Sequence, residues 1–117
     1  MATAEFNDVL RTAAEIELTV TGRRSGRDIS NPVWFVHEGD KLYLLPVGGA
    51  DSDWYRNVQK TPTIRVAAGG AEATAQARPI TAPETVNHIF QELRAKYGAD
   101  VDRYYPKRDV AVEIPLA

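Results

Sequence analysis

Ile16-Glu17-Leu18-Thr19-Val20-Thr21-Gly22-Arg23-Arg24-Ser25-Gly26-Arg27 starts as a strand and ends as a turn. Ile16, Leu18 and Val20 alternate with Glu17, Thr19 and Thr21, the two-residue period of a strand with one face buried. Gly22 to Gly26 then turns the chain, and a second strand is expected through Val33, Trp34, Phe35 and Val36. Glu38-Gly39-Asp40 turns it again into a third strand, Lys41 to Val47, apolar on both faces from Leu42 to Leu45. Strands joined by short polar turns pair antiparallel, because parallel strands need a long crossover.

Working outward, Gly48-Gly49 breaks the third strand, and Asp51, Ser52 and Asp53 offer helix N-caps. Trp54 and Val58 form an i, i+4 apolar pair, and Thr61-Pro62 ends that helix because a residue before proline avoids helical torsions. Ile64 and Val66 begin a fourth strand, Gly69-Gly70 signals a hairpin, and Ala71 to Ile80 reads as a fifth. Thr81-Ala82-Pro83-Glu84 has the pattern of a capping box with proline in the first turn. In the helix behind it Val86, Ile89, Phe90, Leu93 and Tyr97 form one stripe, ended by Gly98. Val110, Val112 and Ile114 alternate into a last strand. Upstream, Phe6, Val9, Leu10 and Ala13 suit a short amphipathic helix within residues 1–14. The expectation is a single domain over 1–117 of mainly β, α+β class. It has about six mostly antiparallel strands and two or three helices, an antiparallel barrel rather than a parallel sheet.

Composition narrows the function. With 117 residues, 44% hydrophobic and 26% charged, the chain is ordinary globular material. It has no cysteine, which excludes disulfides, thiolate catalysis and cysteine-ligated metals. Met1 to Leu10 carries Glu5 and Asp8 with no preceding positive charge, unlike a secretory leader, and the longest apolar run, Leu42 to Val47, is far short of a membrane span. The expected location is cytoplasmic, with no integral membrane segment. A net charge of −2 argues against a nucleic-acid surface. His37 and His88 are far apart in sequence and read as exposed histidines, not a metal pair. Ser25, Ser30 and Ser52 have no nucleophile elbow around them, and Asp51/Asp53 and Asp100/Asp102 read as caps and loop charge.

What remains suits a bound cofactor that supplies the chemistry. Arg23, Arg24, Ser25 and Arg27 put three guanidinium groups and a hydroxyl in one turn, either a grip for phosphate and carboxylate oxygens or a solvated tip. At Val47-Gly48-Gly49-Ala50 the missing side chains allow a flat ring to approach the backbone, or simply make a turn. Trp54 and Tyr55 wall a pocket or fill the core. Tyr97, Tyr104 and Tyr105 cluster after the long helix, where a tyrosine could close over a substrate or donate a proton, while Tyr97 equally completes the apolar stripe.

Four stretches in order decide among these readings: Leu18 to Gly26, Asn31-Pro32-Val33-Trp34-Phe35, Gly48-Gly49-Ala50, and Trp54-Tyr55-Arg56-Asn57. Together they resemble the deazaflavin-dependent nitroreductase family, whose members are also described as coenzyme F-420-dependent reductases and quinone reductases. The resemblance implies a split β-barrel of the flavin-reductase and pyridoxamine-phosphate-oxidase type. It implies coenzyme F-420 as cofactor, with flavin mononucleotide as second choice, and hydride transfer to a small quinone, nitro compound or enone. Arg23, Arg24, Ser25 and Arg27 would hold the cofactor's anionic tail. Asn31, Pro32, Val33, Pro46, Val47, Gly48, Gly49 and Ala50 would line its ring, with Trp54 and Asn57 on the helix behind. Tyr97 would be the substrate contact or proton donor. Ile29 stands where the family often has a basic residue. The rival reading is a non-catalytic barrel carrying a lipid or flavin-type ligand, to which the apolar strand at Leu42 to Val47 lends support. Trp34 and Phe35, adjacent on one strand, lead to the expectation of a homodimer.

Overall fold

The computed structural model describes residues 4–116, so Met1 to Thr3 of the expected N-terminal helix lie outside the described residues. Helix α1 (Ala4–Thr12) leads into β1 (Ile16–Thr21), which pairs antiparallel with β2 (Asp28–Val33) from Ile16↔Val33 to Thr21↔Asp28. The basic turn between them is closed by the Gly22 amide donating to the Arg27 carbonyl at 2.8 Å. Gly26 there has φ +70°, a torsion glycine adopts without strain.

The next strand is not continuous. It is divided into β2 and β3 (Val36–Glu38), and Trp34-Phe35 carries the chain from one sheet to the other. Ala71 to Ile80 is divided in the same way, into β6 (Ala71–Gln76) and β7 (Arg78–Ile80) around buried Ala77. These two divisions, with β4 (Lys41–Leu44), β5 (Thr63–Ala68) and β8 (Ala111–Pro115), raise the strand number from about six to eight. They also place Trp34 and Phe35, on which a homodimer was expected, between strands instead of on one. Phe35 is buried and Trp34 is half-buried, packed by tyrosines.

The sheets run β2-β1-β5-β6 and β3-β4-β8-β7, each antiparallel throughout, and together form the split barrel. Between them Leu18, Val20 and Val66 meet Leu42, Leu44, Val112 and Ile114, with Phe6 and Leu10 of α1 in the same cluster. The outer face of the second sheet carries α3 (Pro83–Tyr97), whose Val86, Ile89, Phe90 and Leu93 pack on Val36, Leu45 and Ala111. This is why β4 is apolar on both faces: Leu42 and Leu44 enter one core, Tyr43 and Leu45 the other. Each such buried aliphatic or aromatic side chain is worth roughly 1.5–3 kcal/mol. The capping box does not form. The N-cap of α3 is Ala82, with no side-chain cap bond, which sets Thr81 outside the helix and Glu84 one position too early. A short α4 (Asp100–Tyr104), not marked by any stripe in the sequence, follows α3 and buries Val101.

Candidate functional site

Helix α2 (Asp53–Lys60) and strand β2 border two depressions. The first is a mostly apolar cavity of ≈ 390 Å³, walled by Asn31, Pro32 and Val33 of β2, by Trp34, by Val47 and by Trp54 of α2. The second, of ≈ 250 Å³, lies over the basic turn and takes Arg23, Arg24 and Ser25 together with Ile29 of β2 and Asn57 of α2. Ile29 to Val33 spans about 13 Å at strand rise, so one strand connects the apolar cavity to the basic pocket.

At the basic end the arginines differ. Arg23 is half-buried and already engaged. Its backbone amide and its Nη1 both donate to Asn57 Oδ1, at 3.0 and 2.9 Å, and its Nη2 pairs with Asp53 at 3.3 Å. Lys60 Nζ donates to its carbonyl at 2.8 Å. Arg23 and buried Asn57 therefore bind the turn to α2. Arg24 and Ser25 stay exposed on the pocket, whereas Arg27 borders neither depression, its amide donating to Ser25 Oγ at 3.2 Å.

Around the Gly-Gly break, Val47 enters the apolar cavity, but Pro46, Gly48, Gly49 and Ala50 do not line it. Gly49 has φ +62°, and a Cβ there would run into the carboxylate of Asp109. That carboxylate also accepts from the Ala50 amide, at 3.3 Å. The glycine makes room for Lys107 and Asp109, and the Ala50 amide is bound within the chain. Ser52, on the far side of the break, does line the cavity, and its hydroxyl accepts from the Gly48 amide at 2.8 Å instead of capping α2.

The tyrosines separate by role. Tyr97 does not line the cavity; it stands behind Trp34, stacked at 4.3 Å between centroids and 4° between planes. Its hydroxyl donates to the Ala14 carbonyl at 2.7 Å and accepts from the Phe35 amide at 3.2 Å. Burial pushes its phenol pKa up, as it does that of Tyr105, to about 12, so both stay protonated at neutral pH. Tyr104 and Tyr105 line the cavity, Tyr104 edge-on to Trp34 at 5.5 Å. Tyr55 is in the core. Glu15, Leu45 and Ser52 also line the cavity and were not singled out as site residues. Nothing local marks them, because α1, β4 and the α2 cap converge there only through the fold. His37 and His88 line neither depression.

Two four-stranded antiparallel sheets, with this cavity beside the point where the chain switches sheets, define a split β-barrel. The chain belongs to the F420H(2)-dependent quinone reductase family, whose pattern matches residues 3–116. Its fold is similar to that of an F420-H2 dependent reductase (TM-score 0.68, 23% identity, 86% of this chain and 93% of that one). It is also similar to a putative 5-nitroimidazole antibiotic resistance protein from Bacteroides thetaiotaomicron (TM-score 0.74, 16% identity, 97% and 79%). A heme storage protein from Vibrio cholerae shares the fold as well (TM-score 0.72, 12% identity, 99% and 90%).

Proposed function

We propose that this chain is an oxidoreductase that uses coenzyme F-420 to reduce a small conjugated acceptor: a quinone, nitro compound or activated enone. One observation carries the reading. Among the described residues, the large hydrophobic side chains left exposed are Ile29 (40%), Val47 (53%) and Tyr104 (49%), and all three border the two depressions. Apolar surface gathered at a cleft marks a binding site.

The donor set fits the cofactor. A flat apolar ring suits the Pro32, Val33, Val47 and Trp54 walls, and an anionic tail suits the neighbouring Arg24 and Ser25. When bound, the deazaflavin supplies a two-electron hydride. The chain's own part is to hold and orient. Asn31 to Val33 and Trp54 confine the ring. Arg24 and Ser25 hold the tail, with Arg23 and Asn57 positioning the turn. The apolar walls keep water from the transfer path. Tyr104, exposed at the rim beside Trp34, is the tyrosine assigned to the acceptor side. Tyr97 is assigned a supporting part, since its only proton is already donated to Ala14. No covalent intermediate is required, in accord with the missing nucleophile. The rival reading, a non-catalytic carrier of a lipid or flavin-type ligand, would use the same apolar walls, but a lipid would leave the basic pocket beside them without a part.

The test is a binding titration of coenzyme F-420 beside flavin mononucleotide, with hydride transfer to naphthoquinone as the second readout. Arg24→Glu is expected to weaken the full cofactor about tenfold or more, the worth of one charge-assisted bond after solvent screening. A truncated deazaflavin without phosphate and glutamates should bind the variant and the parent alike. Equal affinity for flavin mononucleotide with no hydride transfer, or co-purified fatty acid that the cofactor fails to displace, would overturn the proposal.

A further inference from the structure

Among the described residues, Glu15 is the one carboxylate lining the apolar cavity. It sits in the link between α1 and β1, immediately before buried Ile16, so its backbone is fixed by the first residue of the sheet. The other lining residues carry amide, hydroxyl, aromatic or aliphatic side chains, none charged at neutral pH. None of the ion pairs among the described residues uses Glu15. Its charge also reaches Tyr97, helping burial to raise that phenol's pKa. Tyr97 stacks on Trp34, which places Glu15 toward the Trp34 end of the cavity. The arginine turn lies at the opposite end of β2. Charge is therefore divided along β2, negative at the Trp34 end and positive at the arginine turn.

We propose that Glu15 sets the charge of the acceptor: the cavity admits uncharged or cationic conjugated molecules and disfavours those bearing a carboxylate, sulfonate or phosphate. Glu15 is exposed, so its field acts through a nearly aqueous dielectric. At a separation of about 6 Å that corresponds to roughly three- to tenfold in affinity. The redox part of this inference rests on the proposed function, while the charge preference in binding stands apart from it.

Both tryptophans of the chain, Trp34 and Trp54, line the cavity, so their fluorescence reports its occupancy without any cofactor. The full chain is titrated with naphthoquinone and with naphthoquinone sulfonate, as parent, Glu15→Gln and Glu15→Lys. The expected result is that the sulfonate's affinity relative to the neutral quinone rises roughly three- to tenfold in Glu15→Gln and further in Glu15→Lys. High salt should narrow the difference between parent and variants. Ratios within about twofold of the parent in both variants overturn the inference, as does a failure of the neutral quinone to quench the tryptophans. Turnover of the same pair with reduced coenzyme F-420 separates the two claims. A shifted binding ratio without hydride transfer refutes the redox reading and keeps the role of Glu15. Hydride transfer with an unmoved ratio does the reverse.

Discussion

Tyr97→Phe removes one oxygen atom and leaves the ring that stacks on Trp34. The backbones of two residues, Ala14 and Phe35, lose a partner, and they are not equivalent. The Ala14 carbonyl is exposed, so water replaces the hydroxyl at small cost. The Phe35 amide belongs to a residue with 0% exposure, at the crossing between sheets, and is left without its acceptor. An unsatisfied buried donor costs about 1–3 kcal/mol, and a value in the lower half of that range, about 1.5 kcal/mol, is the expected loss. For a chain of 117 residues this lowers Tm by about 6 °C. Urea denaturation and thermal melting measure the loss, and cofactor titration accompanies them. Affinity for coenzyme F-420 should stay within about twofold, because the stacked ring still supports the cavity wall. Burial holds the Tyr97 phenol protonated at neutral pH, so the loss should be equal at pH 6 and pH 8. A variant that melts within about 1 °C of the parent would refute the backbone-clamp role. If its turnover also collapsed, the hydroxyl would be acting on the substrate.

Gly49→Val is expected to destabilise the fold by about 2 kcal/mol or more. A β-branched residue would be held at φ +62° with its Cβ against the Asp109 carboxylate, and Gly49→Ala should lose less; equal unfolding midpoints for Gly49→Val and the parent would contradict this. His37 gives a pH prediction. Burial is the first cause of its lowered pKa, with the charges of Lys96 and Arg11 adding to it, and its Nε2 is buried without a hydrogen-bond partner. The unfolded chain therefore takes up the proton first. The stability contributed by neutral His37 is fully present above pH 6.5 and is lost as pH falls through its lower folded-state value. Urea midpoints between pH 7 and pH 5 should fall less for His37→Gln than for the parent, and parallel profiles would dismiss the assignment.

The parts of this molecule decided within a few residues could be read directly. β1 occupies the alternating Ile16 to Thr21, the hairpin falls at Gly69-Gly70, and α2 ends at Thr61-Pro62, because period and turn chemistry are local. The basic turn is visible as three arginines close in sequence, whereas Asn31-Pro32-Val33 stands out only through the family resemblance; in the fold both border one strand and one helix. The tertiary structure alone decided where the chain leaves one sheet for the other. Trp34-Phe35 and Ala77 look like strand interior, and only closure of the barrel breaks them there. It also reassigned side chains whose neighbours are distant in sequence. Gly49 yields to Asp109, Arg23 is held by Asn57, and the Tyr97 hydroxyl is spent on Ala14, a residue 83 positions away. Glu15 reached the cavity by the same route. A backbone torsion or a hydrophobic period is set by adjacent residues, whereas the partner of a polar group is set by whatever the packed chain brings within about 3 Å of it.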